Sequence, residues 1–225
     1  MICQNRFRRR LFYKYTLCIE YKQALQTKVL EVEFRHMKIT SSKFVKGIVG
    51  TDDVLEYDNP QIAFVGRSNV GKSSTINAIV NQKALARVSK TPGSTQEINL
   101  YVLNNRVYLL DLPGYGFAKT VKAGRERYQK VIEWYLFKSE YEPKKVVLII
   151  DAEVGLTPLD AEMLDALEKA GKNLIVLANK VDKIKSSQYE DKLQDLQDMV
   201  GDHAIIPFSA TKKIGIGELV DEILA

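Results

Sequence analysis

The sequence predicts an α/β fold, a three-layer α/β/α arrangement around a mostly parallel six-stranded sheet with one antiparallel edge strand. Two observations carry this. From residue 61 onward, short β-branched apolar runs alternate with longer amphipathic stretches, as in βα units whose parallel sheet is covered by helices. The first of these runs opens directly onto a Gly-rich G-x-x-x-x-G-K-S segment, the loop that joins strand to helix in P-loop domains.

Taken in order, the strands are predicted at 62–65, 98–103, 107–110, 146–150, 174–178 and 204–208, each a β-branched or aromatic run of strand length. Asn104-Asn105 separates the second run from the third, and this is turn chemistry for an antiparallel hairpin. Helices are predicted at about 72–80, 125–138, 158–170, 188–199 and 217–224. Pro158 suits a first helical turn, and Gly171 stops that helix. The apolar runs are strand-sized, far short of the roughly 18–20 residues that span a bilayer, so a soluble, cytoplasmic protein with no membrane partner is expected.

Charge divides the chain. Residues 1–36 carry eight basic and three acidic side chains, which accounts for the whole formal net charge of +5 and leaves the remainder balanced. Both cysteines, Cys3 and Cys18, lie in that first stretch, so residues 37–225 hold neither a disulfide scaffold nor a zinc site, in keeping with a reducing compartment. Lys14 interrupts the apolar run 11–19 and spoils a secretory core. A mitochondrial transit peptide is disfavoured by the absence of Ser and by Glu20, Glu31 and Glu33. Arg6 to Arg10 with Phe7, Phe12 and Tyr13 would suit an RNA-binding arm. Composition becomes ordinary at Met37-Lys38-Ile39-Thr40, and the preferred reading is that translation starts at Met37, residues 1–36 being a disordered extension or a gene-model artefact.

The phosphate site is expected at Gly66-Arg67-Ser68-Asn69-Val70-Gly71-Lys72-Ser73-Ser74. Glycine lets the loop curl with its N–H groups inward, and a side chain at Gly71 would block the approach of phosphate. Lys72 should reach the β- and γ-phosphates and Ser73 should ligate Mg²⁺, while the following helix contributes its positive N-terminal end. Guanine rather than adenine is expected from Asn179-Lys180-Val181-Asp182 at the end of the run 174–178. Asp182, read as a buried carboxylate, can accept from guanine N1–H and the 2-amino group, a pair of donors that adenine lacks. Lys180 would pack along the base, Asn179 would tie the loops together, and Phe208-Ser209-Ala210 would bring a backbone contact to the guanine oxygen.

Between these elements lies Asp111-Leu112-Pro113-Gly114, where Asp111 should hold Mg²⁺ through a water and the Gly114 N–H should meet the γ-phosphate. In Thr91-Pro92-Gly93-Ser94-Thr95, Thr95 is the preferred Mg²⁺-closing switch threonine and Thr91 its rival. Ras-like proteins place a water-orienting glutamine directly after the D-x-x-G glycine; here the position is Tyr115, so intrinsic hydrolysis should be slow. Asn69 points to K⁺ as a substitute source of charge, as in several GTPases. Lys72, Thr95, Gly114 and Asn69 are thus the expected catalytic groups.

These motifs, with Thr91-Pro92-Gly93-x-Thr95-Gln96 and above all Asp111-Leu112-Pro113-Gly114-Tyr115-Gly116-Phe117-Ala118, resemble the EngB family of Ras-like P-loop GTPases, in the TrmE-Era-EngA-like branch. The resemblance runs from Met37 to the end. The chain departs from it at Asn179, where threonine is common, and at 152–157, which lacks a frequent Arg-His pair. The resemblance implies GTP/GDP as ligand, Mg²⁺ as cofactor, and assembly of the large ribosomal subunit, with rRNA and ribosomal proteins as partners and no DNA. The basic run Lys119, Lys122, Arg125, Arg127 and Lys130 beside the switch would suit rRNA phosphate, and a solvated helix face is the plain alternative. A switch acting on a protein effector, or a GTP-binding module with negligible turnover, are the competing readings.

Overall fold

The structure is a computed structural model that describes residues 38–86, 97–116 and 129–225. The expectations for residues 1–36 and the start at Met37, for Thr91, Gly93, Ser94 and Thr95, and for Lys119, Lys122, Arg125 and Arg127 fall outside the described residues. Residues Ile39–Ile223 form one unit. Of the other, Met1–Lys38 with Leu224–Ala225, only Lys38 and the last two residues are described.

The strands are β1 (Ser42–Ile48), β2 (Gln61–Gly66), β3 (Ile98–Leu103), β4 (Val107–Asp111), β5 (Lys145–Asp151), β6 (Leu174–Asn179) and β7 (Ile205–Phe208). They pair in the order β1-β3-β4-β2-β5-β6-β7. The pairs β4-β2, β2-β5, β5-β6 and β6-β7 are parallel, whereas β1-β3 and β3-β4 are antiparallel. The class is the expected one, with a correction: among the described residues the sheet has seven strands rather than six, and its antiparallel edge region contains β1 outside β3. β1 escapes a periodicity search because, as the outermost strand, it is wetted on both faces: Lys43, Phe44, Val45 and Lys46 are all exposed, and a bulge between Phe44 and Lys46 breaks its register.

The β3-β4 hairpin turns as its residues dictate. Asn104 (φ 49°) and Asn105 (φ 53°) both occupy the left-handed region, and Arg106 N–H closes the turn onto the Leu103 carbonyl at 2.8 Å. Asn104 Oδ1 also accepts from Thr40 and Ser41 N–H, holding the start of β1 beside the hairpin tip. At the other edge, Pro207 sits in β7, which pairs only with β6, where a missing N–H can be tolerated.

All seven residues of β5 and all six of β2 are buried, which explains their unbroken apolar reading: a central parallel strand is covered on both faces. On one face Ala63, Val65, Leu110, Val146, Leu148, Ile150, Val176 and Ala178 join Tyr135, Leu164, Leu167, Leu196 and Val200 of the covering helices in one core. The helices are α1 (Lys72–Ile79), α2 (Pro158–Lys169), α3 (Tyr189–Val200) and α4 (Ile216–Leu224), with a helical stretch 129–133 that ends in the π-turn Trp134–Lys138. Helix α2 starts where the sequence predicts, with Pro158 in its first turn, and after it Gly171 N–H closes onto the Glu168 carbonyl.

Candidate functional site

The loop between β2 and α1 has the conformation its residues require. Gly71 lies at φ 111°, and a Cβ there would overlap the side-chain amide of Asn179. Asn179 Nδ2 donates to the Val70 carbonyl at 2.8 Å, while its Oδ1 accepts the Lys180 N–H at 2.8 Å. Buried Asn179 therefore spans from its own loop to the phosphate loop, and Gly71 is required by this contact between protein groups as well as by the approach of a phosphate. Asn69 is exposed, with φ 64°, and its carbonyl accepts from Lys180 Nζ at 2.9 Å. Ser74 continues α1, and Val70 is buried beneath the loop.

Lys72 Nζ is folded back on the loop, donating to the carbonyls of Gly66 (3.1 Å) and Arg67 (3.4 Å). Ser73 Oγ donates to Asp111 Oδ2 at 2.8 Å. Burial pushes the Lys72 ammonium below its ordinary range and the Asp111 carboxyl above its own. Each charge partly offsets the other's shift, and the Ser73 hydrogen bond also favours the Asp111 carboxylate. Such a strongly desolvated cation is poised for a phosphate, which would restore the environment that its charge needs. Ser73 and Asp111 present two hard oxygen donors side by side, and this donor set fits Mg²⁺. Among the described residues no group of three or more His, Cys, Asp or Glu could hold a metal.

At the end of β6 stands Asn179, followed by Lys180, and a 3-10 turn Val181–Lys183 carries Asp182. Lys180 Nζ pairs with Asp151 Oδ2 at 2.7 Å, and Ser209 Oγ donates to Asp182 Oδ1 at 2.6 Å. Residue Asp182 is itself exposed, so the burial expected of its carboxylate would have to come from a bound base. The Ser209 hydroxyl, on a residue 1% exposed, also accepts the Lys212 N–H at 3.0 Å. Phe208 is buried in β7 and Ala210 is half-buried beside Ser209.

Leu112 and Pro113 are buried, and they carry the chain from β4 to a Gly114 packed against the phosphate loop, where a Cβ would lie 2.8 Å from Ser68 N and Cα. Ser68 N–H donates to the Tyr115 carbonyl at 2.9 Å, and Ser68 Oγ to the Gly114 carbonyl at 3.3 Å. The Tyr115 hydroxyl donates to Asp160 Oδ1 at 2.8 Å, while Arg67 Nε reaches Asp160 Oδ2 at 2.9 Å. Burial, then the Asp160 charge and hydrogen bond, push the Tyr115 phenol far above its ordinary range, against the opposing charge of Arg67. Tyr115 is thus a neutral donor committed to Asp160.

Sequence reasoning missed Asp151 and Asp160. A signal for the second existed: Thr157-Pro158-Leu159-Asp160 has capping-box spacing, and Thr157 N–H and Oγ1 both bond Asp160 Oδ2, at 3.1 and 2.6 Å. No local pattern reports that the same carboxylate also meets Arg67 and Tyr115.

Residues 61–180 match a family model described as 50S ribosome-binding GTPase, and residues 138–225 one described as the Elongation factor Tu GTP binding domain. Among curated relatives, the "Probable GTP-binding protein EngB" of Clostridium perfringens (strain 13 / Type A) is 42% identical over 82% of this chain and 95% of the relative. The protein of the same name from Aquifex aeolicus (strain VF5) is 41% identical over 74% of this chain and 91% of its own length. A crystal structure of a probable GTP-binding protein engB superposes with a TM-score of 0.60 at 26% identity, over 73% of this chain and 98% of that one. Era in complex with MgGDPNP and nucleotides 1506-1542 of 16S ribosomal RNA superposes with a TM-score of 0.61 at 26% identity, over 73% of this chain and 55% of Era. With that identity extending over most of its length, the chain belongs to the EngB family of P-loop GTPases, proteins that bind and hydrolyse GTP.

Proposed function

We propose that this GTPase is a switch that assists assembly of the large ribosomal subunit, engaging rRNA and ribosomal proteins in a nucleotide-dependent way. The observation that supports the ribosomal part is the match of residues 61–180, the stretch holding most of the nucleotide site, to a model described as a 50S ribosome-binding GTPase. The likeness to Era, solved with a segment of 16S ribosomal RNA, supports contact with ribosomal RNA and not the choice of subunit.

In this reading the N–H groups of residues 66–71 and the first turn of α1 cradle the β- and γ-phosphates, and Lys72 turns from its carbonyl partners onto them. Ser73, Thr95 and, through a water, Asp111 hold Mg²⁺. When bound, the ion neutralises charge across the phosphates. Asp182 accepts from guanine N1–H and its amino group, Lys180 lies along the base, Asn179 fixes the two loops to each other, and Ser209-Ala210 meets the guanine oxygen. Gly93 and Ser94 line the switch that Thr95 closes, and Gly114 N–H meets the γ-phosphate. In hydrolysis a water oxygen bonds to the γ-phosphorus as the bond to the β–γ bridging oxygen breaks. With Tyr115 tied to Asp160, no side chain at that position orients the water, so intrinsic turnover is slow. A K⁺ ion held near Asn69 would supply charge instead; equal turnover in potassium and sodium buffers removes that element.

The test is co-sedimentation of the full chain with large ribosomal subunits, in GDP and in a non-hydrolysable GTP analogue, across a salt series. Binding favoured by the analogue, with a steep salt slope that falls when Lys122, Arg125 and Arg127 are neutralised, is the expected result. Absence of binding with either nucleotide removes the ribosomal role and leaves the GTPase.

A further inference from the structure

We propose that Asp160 is a positioning residue of this GTPase: its buried carboxylate seats the Gly114-Tyr115 peptide against the phosphate loop and so favours the binding of GTP relative to GDP. This rests on the reading that Gly114 N–H meets the γ-phosphate. Asp160 is 0% exposed, and its two oxygens accept from four donors on three separate segments. Oδ1 takes the Tyr115 hydroxyl; Oδ2 takes Arg67 Nε and the N–H and hydroxyl of Thr157. Arg67 belongs to the phosphate loop, Tyr115 follows the γ-phosphate glycine, and Thr157 starts α2. A capping box needs only the Thr157 contacts. The other two have a different consequence: they tie the two segments that must embrace a γ-phosphate to one anion fixed at the head of a helix.

The backbone agrees with the side chains. Residues Arg67 and Tyr115 form a parallel bridge, Ser68 N–H donates to the Tyr115 carbonyl, and Gly114 packs directly on Ser68. A peptide held in this way does not have to be ordered when the γ-phosphate arrives, which lowers the entropic cost of making that contact. GDP makes no such contact and gains nothing from it. The residue after the D-x-x-G glycine is therefore used here for seating the switch, which explains how a phenol can stand where Ras-like proteins carry a carboxamide.

The test measures dissociation constants of the full chain, with Mg²⁺, for GDP and for a non-hydrolysable GTP analogue. Tyr115→Phe removes one hydroxyl and leaves Asp160 three donors; it should weaken the analogue by about five- to tenfold, the net worth of one ordinary hydrogen bond since only part of its loss reaches the γ-phosphate contact, while GDP stays within about twofold. Asp160→Asn should shift the ratio in the same direction, with thermal unfolding used to check that it folds; Tyr115→Phe decides if it does not. Thr157→Ala removes the hydroxyl donor at the helix end of Asp160 and leaves the Tyr115 and Arg67 contacts in place; it should lower stability and move the ratio less than Tyr115→Phe does. Gly114→Ala should depress the analogue more than GDP, its Cβ also pressing on Ser68 of the phosphate loop. The proposal is overturned if Tyr115→Phe weakens both nucleotides equally or neither, or if Thr157→Ala moves the ratio as far. A Tyr115→Phe failure beside a Gly114→Ala effect larger on the analogue than on GDP refutes only the positioning role, whereas a Gly114→Ala chain that keeps the parent's affinity for the analogue removes the γ-phosphate reading beneath it.

Discussion

Removing the Ser209 hydroxyl tests the proposed guanine recognition at a contact that only the folded protein reveals. Ser209 Oγ has one hydrogen to give, and it goes to Asp182 Oδ1 at 2.6 Å; a lone pair receives the Lys212 N–H at 3.0 Å. The hydroxyl therefore both fixes the rotamer of the carboxylate and holds the loop that would overlie the base. A hydrogen bond to a charged acceptor contributes about 1.5–3 kcal/mol when water is excluded. Asp182 is exposed, so water can replace the hydroxyl, and the bond by itself is worth under about 1 kcal/mol. A base covering Asp182 removes that replacement. Ser209→Ala should then cost about 1–2 kcal/mol of binding, or roughly a fivefold to thirtyfold weaker GDP complex. Titration with GDP and with inosine diphosphate, which lacks the 2-amino group, reads both the loss and its cause, because a carboxylate free to rotate should also discriminate less between the two bases. Ser209→Thr keeps the hydroxyl and should restore most of the affinity. Ser209→Ala binding GDP within about twofold of the parent, with discrimination intact, would refute this reasoning.

Three further outcomes are expected. Gly71→Ala must place a Cβ into the Asn179 amide at φ 111°, and should lose about 1–3 kcal/mol of stability in urea unfolding together with most nucleotide affinity. Buried Asn77 exchanges two hydrogen bonds of 2.8 Å with the backbone of Ala86, so Asn77→Ala strands an N–H and a carbonyl and should cost about 2–4 kcal/mol by denaturant titration. The Tyr135 hydroxyl donates to Gln61 Oε1 at 2.8 Å inside the core, and the Gln61 amide donates on to the Leu55 carbonyl; Tyr135→Phe should lose about 1–2 kcal/mol in the same assay, with the GDP dissociation constant unchanged.

By itself the sequence determined the elements whose pattern is local. The parallel strands read as apolar runs because β2 and β5 are covered on both faces. The hairpin followed from Asn104-Asn105, since two successive left-handed residues suit that turn. The phosphate and base motifs were visible because each is a short run at a strand end, whose residue types are set by contacts within the run. Tertiary structure alone decided the rest. β1 owes its existence to pairing with β3, a partner about fifty residues away that contributes hydrogen bonds without leaving a periodicity in Ser42–Ile48. Asp182 is itself exposed, because burial depends on what faces the loop rather than on what composes it. Ser209 acts on Asp182 through its hydroxyl, and Asp151 and Asp160 reach Lys180, Arg67 and Tyr115, only because β5, β6, β7 and the start of α2 converge at one end of the sheet. A carboxylate's partners are chosen by distance in space, and chain order records that distance only where the backbone is itself the connection.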